Sequence, residues 1–204
     1  MTVHRYTRQT RIKAPVEDVF AWHARQGAIS RLTPPWAPVK LLARNQDGVE
    51  KGVRITFKIR PFGLPMIWKA EHTEYLENRL FKDRQIQGPF ALWEHTHRFE
   101  PDGRSASSMT DQIRFELPFG ILAAPFYRFA ERELDRMFAY RHRVIKYDLE
   151  NHVGKTEKKR ILVSGASGTM GRALVPFLQT CGHEVIRLVR NKTDRSPDAL
   201  FWDP

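Results

Sequence analysis

His95 and His97 stand two residues apart in the run Trp93-Glu94-His95-Thr96-His97. Side chains alternate between the two faces of a strand, so this spacing puts both imidazoles beside Trp93 on one face. Imidazole titrates near neutrality, and beside a carboxylate it can give and take protons in a cyclisation, dehydration or enolisation. His72 and Asp111 read inward on neighbouring strand patterns and could belong to the same set. Hydrogen-bonded structural histidines, or histidines that orient a ligand, are the competing readings, so the catalytic residues stay open with His95 and His97 as candidates. A histidine pair can also bind metal. However, no third ligand stands at a characteristic spacing and neither CxxC nor HExxH occurs, so no metal site is expected.

A second set lies near the C-terminus. Gly165-Ala166-Ser167-Gly168-Thr169-Met170-Gly171 joins an apolar run, Ile161 to Val163, to a segment of helical composition. The spacing is G-x-x-G-x-x-G. Gly165 permits a tight turn out of the strand, Gly168 allows close backbone approach to a pyrophosphate, and Gly171 lets helix and strand pack. The helix start then offers free N–H groups and a positive dipole end to phosphate. The candidate cofactor-binding residues are Gly165, Gly168, Thr169, Met170, Gly171 and Arg190. No acid follows the second strand of this unit, where NAD-type folds hold the ribose. Arg190 stands there instead and could meet a 2′-phosphate, which favours NADP.

The elements that must position these residues fall into two unequal pieces. A strand opens the chain, followed by a helix from about Pro15, with Val16, Val19, Phe20 and His23 on one face, and a short helix at Ala28 to Leu32. From about residue 38 to 118, strand patterns alternate with Gly, Pro and Asp turns, which argues a meandering antiparallel sheet. A helix of roughly Ala123 to Leu149 follows, with Phe126, Ala130, Leu134, Phe138 and Ile145 at helical spacing. Residues 151–158 are polar and read as a linker. Residues 159–204 read as one βαβ unit with a right-handed crossover.

The order strand, two short helices, antiparallel strands, long C-terminal helix resembles the helix-grip fold of the START/Bet v 1-like superfamily, which includes polyketide cyclase/dehydrase-like proteins. The phrases from Trp22 to Trp36 and from Gly88 to Gly103 are similar to one bacterial branch, in which such a domain precedes a short-chain-dehydrogenase-like domain of the epimerase type. The expected fold class is therefore α+β: a helix-grip domain at 1–150, a linker at 151–158, and an incomplete Rossmann-type start at 159–204. The resemblance implies an apolar cavity between the sheet and the long helix. Its expected lining is Phe57, Ile59, Trp68, His72, Trp93, His95, His97, Phe115 and Phe138; a filled core is the alternative. Dehydrogenases of the resembled family carry Tyr-x-x-x-Lys, and no tyrosine here has a lysine four residues on. The expectation is a fragment of a longer NADP-dependent oxidoreductase or epimerase that binds no cofactor tightly by itself. The unpaired edges of a lone βαβ unit leave a homodimer as a candidate assembly.

Composition narrows the function classes. The 204 residues carry a net charge of +11, with the excess spread along the chain rather than blocked. A dispersed excess reads as solvated surface, and no nucleic-acid motif accompanies it, so nucleic acid is not an expected partner. A basic interaction module is kept as an alternative to a ligand binder and to a cyclase/dehydrase-type enzyme. No segment approaches the ~18 apolar residues of a membrane helix, the first residues lack the apolar core of a secretory signal, and Cys181 is a lone cysteine. Together these point to a cytoplasmic protein whose partner is a small hydrophobic molecule, with no membrane involved.

Overall fold

The computed structural model of the chain describes residues 3–120, 124–154, 157–194 and 196–203. Seven strands form one antiparallel sheet: β1 (His4–Ile12), β2 (Lys40–Arg44), β3 (Arg54–Ile59), β4 (Met66–Leu76), β5 (Leu80–Gln87), β6 (Leu92–Pro101) and β7 (Ser107–Glu116). Their spatial order is β1-β7-β6-β5-β4-β3-β2, a meander closed by the first strand pairing with the last. Helices α1 (Val16–Ala24) and α2 (Ala28–Leu32) connect β1 to β2, and α3 (Ala124–Asn151) follows the sheet.

Period-two alternation decides which face each strand buries. On β6, Trp93, His95, His97 and Phe99 face inward while Arg98 and Glu100 are exposed; on β7, Met109, Asp111, Ile113 and Phe115 are buried. Trp93 lies opposite Phe115, His95 opposite Ile113, His97 opposite Asp111 and Phe99 opposite Met109, so the register sets the polar pairing between apolar ones. The helix α3 runs along β1. It buries Leu134, Phe138, His142, Ile145, Asp148 and Leu149 at three- and four-residue spacing, and its arginines lie mostly elsewhere.

The inward face therefore carries two apolar clusters. One gathers Ile12, Val19, Phe20, Trp22, Phe81, Phe99, Met109 and Ile145 beneath α1. The other gathers Trp93, Ile113, Phe115, Tyr127, Leu134 and Phe138 beneath the first half of α3. Phe126 departs from its expected core position and is 56% exposed. Burial on α3 begins only at Tyr127, whose Oη accepts a hydrogen bond from the Leu117 N–H at 3.1 Å. The expected start of α3 at Ala123 lies outside the described residues, and its end runs two residues past Leu149, through Asn151 into the expected linker.

The second piece has strands β8 (Arg160–Val163), β9 (Glu184–Val189) and β10 (Ala199–Phe201) and helix α4 (Thr169–Thr180). β8 and β10 both pair with β9 in parallel. The parallel β8–α4–β9 arrangement agrees with the sequence reading, whereas the third strand, β10, has no forerunner in it. β10 is only three residues long, too short for a pattern to register. The two pieces touch: α4 packs on α2, and Arg31 of α2 donates to both carboxylate oxygens of Asp148 on α3, at 2.8 and 3.0 Å. Thr180 of α4 donates to the same carboxylate at 3.4 Å, and its carbonyl accepts from Arg25 at 2.6 Å.

Candidate functional site

Between the two apolar clusters the inward face turns polar. Asp111 is buried on β7 and three imidazoles converge on it. His142 Nε2 of α3 lies 2.7 Å from Oδ2, and His95 Nε2 lies 3.1 Å from Oδ1. His97 Nδ1 lies 2.6 Å from the same Oδ1, and among the described residues this buried ring nitrogen makes no hydrogen bond. The other nitrogen of His142 meets Thr10 Oγ1 of β1 at 2.8 Å.

The far edges of His95 and His97 face a second carboxylate, Asp83 of β5. His95 Nδ1 lies 3.5 Å and His97 Nε2 lies 3.9 Å from Asp83 Oδ2. The two rings stand 3.8 Å apart, centroid to centroid. Asp83, His95 and His97 thus each present one ligand-type atom within 4.8 Å of the others. Two carboxylates flank a close pair of imidazoles whose planes are tilted by 46°, in a setting where an unpaired charge is costly.

The electrostatics follow from this arrangement. Burial opposes the charge on His95, but hydrogen bonds and attraction to Asp111 and Asp83 overcome it and push its pKa up to about 9. Burial and the positive His95 beside it push His97 down to about 3. Burial also lowers His23 of α1 to about 4; its Nδ1 sits 2.8 Å from the Val19 carbonyl and its ring 5.8 Å from His97. Burial would raise Asp111, but the three histidines hold it well below the usual carboxylate range. Asp83 is lowered in the same way, chiefly by His95 acting against burial. Half-buried Arg141 faces both acids from α3, its guanidinium 4.9 Å above the Phe138 ring, and burial lowers its pKa.

These shifts give opposite pH limbs for the metal-free protein. The folded pKa of His95, about 9, lies above its unfolded value of about 6.5, so its contribution is complete below pH 6.5 and is lost as pH rises through 9. His23 and His97 are depressed to about 4 and about 3, so their contribution is present above pH 6.5 and is lost as pH falls toward those values. Thermal melts in chelator-treated buffers are expected to peak near pH 6.5 and fall on both sides. His95→Gln should flatten the alkaline limb and leave the acid limb; an unchanged alkaline limb in that variant would refute the assignment.

The nine expected lining residues separate into three groups. His72, His95 and His97 are at or beside the polar cluster; His72 Nδ1 meets the Val49 carbonyl at 2.8 Å, and His72 lies opposite Asp83 in register. Trp93, Phe115 and Phe138 are packed among other aromatics: Trp93 lies 5.0 Å from Trp68 and 4.7 Å from Phe90, and Phe138 lies 5.2 Å from His95. At these positions the rings fill space rather than line it. Phe57, Ile59 and Trp68 are only half-buried, and Leu41 and Met66, which pair with Phe57 and Ile59, are exposed. The inner face of β2–β4 is thus an apolar strip left partly open and continuous with the aromatic cluster. An open depression of about 540 Å³ is lined by Arg54, Ile55, Thr56, Lys69, Ala70, Glu71, Arg84 and Ile86, charged and apolar side chains together.

Asp83, His142 and Thr10 belong to the polar cluster without having been singled out in the sequence. The signals were present: Asp83 shares the inward phase of Phe81, His142 follows Phe138 by four residues, and Thr10 precedes Ile12 by two.

The glycine segment makes a tight turn from β8 into α4. Gly165 has φ +66°, a left-handed conformation, and its carbonyl accepts the Gly168 N–H at 2.9 Å. A Cβ on Gly171 would come within 2.3 Å of the Gly165 carbonyl oxygen, so only glycine fits. Gly168 caps α4 without a side-chain hydrogen bond, Thr169 and Met170 open the helix, and Met170 is 83% exposed. Arg190 is exposed just beyond β9. The residues present are compatible with a bound dinucleotide phosphate.

A family model described as polyketide cyclase / dehydrase and lipid transport matches residues 12–140. No curated protein matches the chain. Among solved structures, a nucleoside-diphosphate sugar epimerase from Corynebacterium glutamicum is similar at 30% identity with a TM-score of 0.74, covering 97% of this chain and 41% of that one. The chain thus spans less than half the length of that protein. The Zhui aromatase/cyclase from Streptomyces sp. R1128 superposes at TM-score 0.60 with 12% identity, covering 74% of this chain and 96% of that one. A truncated norcoclaurine synthase from Thalictrum flavum superposes at 0.57 with 16% identity, covering 74% and 96%. At such identities these last two speak for the fold, a large antiparallel sheet with a long helix of START/helix-grip type. No helix among the described residues is long and apolar enough to cross a membrane.

Proposed function

The chain belongs to the polyketide cyclase / dehydrase and lipid transport family, and from that premise we propose that it binds one small hydrophobic, aromatic-bearing molecule against the inner face of β2–β4, with the His–Asp cluster at the polar end of the site. The observation that carries this is the half-open strip of Leu41, Phe57, Ile59, Met66 and Trp68 leading into the aromatic cluster. Ligand sites are mostly apolar with a few convergent polar groups, and this face has that composition. Burying the strip would remove apolar surface from water at about 25 cal/mol per Å².

The test uses the five tryptophan indole N–H resonances. On titration with an uncharged bicyclic phenol such as 2-naphthol, the Trp68 and Trp93 signals should shift together and saturate, while exposed Trp202 stays fixed. Saturable shifts that spare Trp68 and Trp93 would contradict the reading.

A second reading, a cyclase/dehydrase-type reaction, is favoured by the opposite displacement of His95 and His97. Neighbouring groups driven apart in this way are how a site keeps an acid and a base at one pH. It predicts turnover with a pH profile that His95→Gln abolishes.

For the second piece, the similarity to the epimerase and the loop geometry support an NADP site in a longer protein, with Gly165, Gly168 and Gly171 giving room for the pyrophosphate. Thr169 and Met170 would sit at the helix start and Arg190 at a 2′-phosphate. When bound, that cofactor supplies hydride transfer; the residues of this chain would only hold it.

A further inference from the structure

The proton inventory of the His–Asp cluster is hard to satisfy with protons alone. His95 and His97 each present one ring nitrogen to Asp111 and the other to Asp83. A neutral imidazole has one N–H and one lone pair. Facing a carboxylate on each side, it must aim that lone pair at an anionic oxygen. To avoid this at both rings, both would have to be imidazolium, with two positive rings 3.8 Å apart in a buried site. One of the ring nitrogens, His97 Nδ1, is in fact left without a hydrogen bond.

A divalent cation on the Asp83 side resolves all four ring positions. We propose that Asp83 Oδ2, His95 Nδ1 and His97 Nε2 hold a divalent first-row transition-metal ion. Both imidazoles are then neutral, their lone pairs bind the metal and their N–H groups turn toward Asp111. The two carboxylate charges balance the ion. Tetrahedral bonds of the usual length place donor atoms about 3.3 Å apart. The two Asp83 separations of 3.5 and 3.9 Å need to contract by tenths of an ångström, and the two ring nitrogens, like all three donors within 4.8 Å of one another, must close to the same spacing by a turn of the rings.

The surroundings match what metal sites carry behind their ligands. Ligating histidines characteristically donate their second N–H to a carboxylate. Asp111 is that carboxylate for His95 and stands 2.6 Å from His97 Nδ1, close enough to take its N–H once the ring turns; His142, itself held by Thr10, anchors Asp111 from α3. Two imidazoles and one carboxylate suit zinc, iron, cobalt or nickel over magnesium or calcium, and they leave a coordination position open. The histidine pair looked ligand-poor in the sequence because its third donor comes from the adjacent strand, twelve residues before His95, where no spacing rule reaches.

The inference concerns the polar cluster and does not depend on the apolar strip. Failure of metal uptake leaves ligand binding standing, and failure of ligand binding leaves the metal site standing. A bound ion and a protonated His95 exclude each other, so the same test separates the metal from the acid–base reading.

The experiment takes the whole chain, dialysed against chelator and then freed of it, and titrates Zn²⁺ alone by calorimetry and Co²⁺ alone by visible absorption. The expected result is one ion per chain, with a Co²⁺ d–d band of low-coordinate intensity. Asp111→Asn should weaken binding about 10–100-fold, and Asp83→Asn and His97→Gln should abolish it. His183→Gln, in the second piece, should change nothing. Absence of uptake and of the Co²⁺ band in the wild-type chain overturns the proposal, as does undiminished uptake by folded Asp83→Asn. If the ligand variants do not fold, the wild-type Co²⁺ spectrum decides alone.

Discussion

Asp111→Ala is expected to lower the melting temperature by roughly 6–20 °C. Asp111 is 2% exposed and is the one acceptor shared by His95 and His142. Truncation removes a buried carboxylate and strands the donors built around it, and breaking a buried charge pair in this way costs about 3–5 kcal/mol. For a chain of this size each kcal/mol moves the midpoint by about 2–4 °C. Asp111→Asn separates charge from shape. Its amide oxygen accepts one of the imidazole donors and the other ring turns to its lone-pair tautomer, so the loss should shrink to about 1–3 kcal/mol. The alkaline limb set by His95 should disappear with it, because a neutral amide cannot hold that ring charged. A melt of the alanine variant within a degree of wild type would show that the convergence on Asp111 carries no energy.

Asp148→Ala is the second large effect, at the seam between the two pieces. Asp148 is completely buried and accepts two hydrogen bonds from Arg31 and one from Thr180, so it ties α2, α3 and α4 at one carboxylate. The Arg31 guanidinium also lies 5.3 Å over Phe177 of α4, whose ring meets His152 at 5.0 Å. Alanine leaves Arg31 without its counter-charge and costs about 3–5 kcal/mol. It should also release α4, so limited proteolysis should cut between residues 152 and 158 faster than in the wild type. Gly27 faces the same seam: its φ is +82°, and a Cβ there would stand 2.8 Å from Pro176 Cα. Unchanged melting and cleavage in Asp148→Ala would mean that the Asp148 carboxylate does not hold the two pieces together.

Much of this fold was legible in the sequence, and the reasons are local. α2 falls at Ala28–Leu32 because Gly27 and Pro34-Pro35 bracket it, and strands β3 to β7 fall where apolar alternation runs between turn residues. The inward orientation of Trp93, His95 and His97 follows from alternation alone. What the sequence hid was convergence. Asp83, Asp111 and His142 are far apart in the chain and meet only because β5, β6 and β7 lie side by side beneath α3. Nor could alternation tell a filled core from an open face. Phe115 and Phe138 are sealed by neighbouring rings, while Phe57 and Ile59, with the same pattern, stay half-open on strands beyond the reach of α3.

The central claim is that this half-open face takes one small hydrophobic molecule. Native mass spectrometry tests it most directly, after incubation of the protein with a mixed extract of small hydrophobic compounds and with the denatured protein as reference. One organic adduct per chain is expected, lost on denaturation and missing from Phe57→Asp, whose half-buried site tolerates the charge in the fold. A bound ion would appear as a separate, smaller increment. A native mass equal to the bare chain, or the same adduct on Phe57→Asp, would contradict the account.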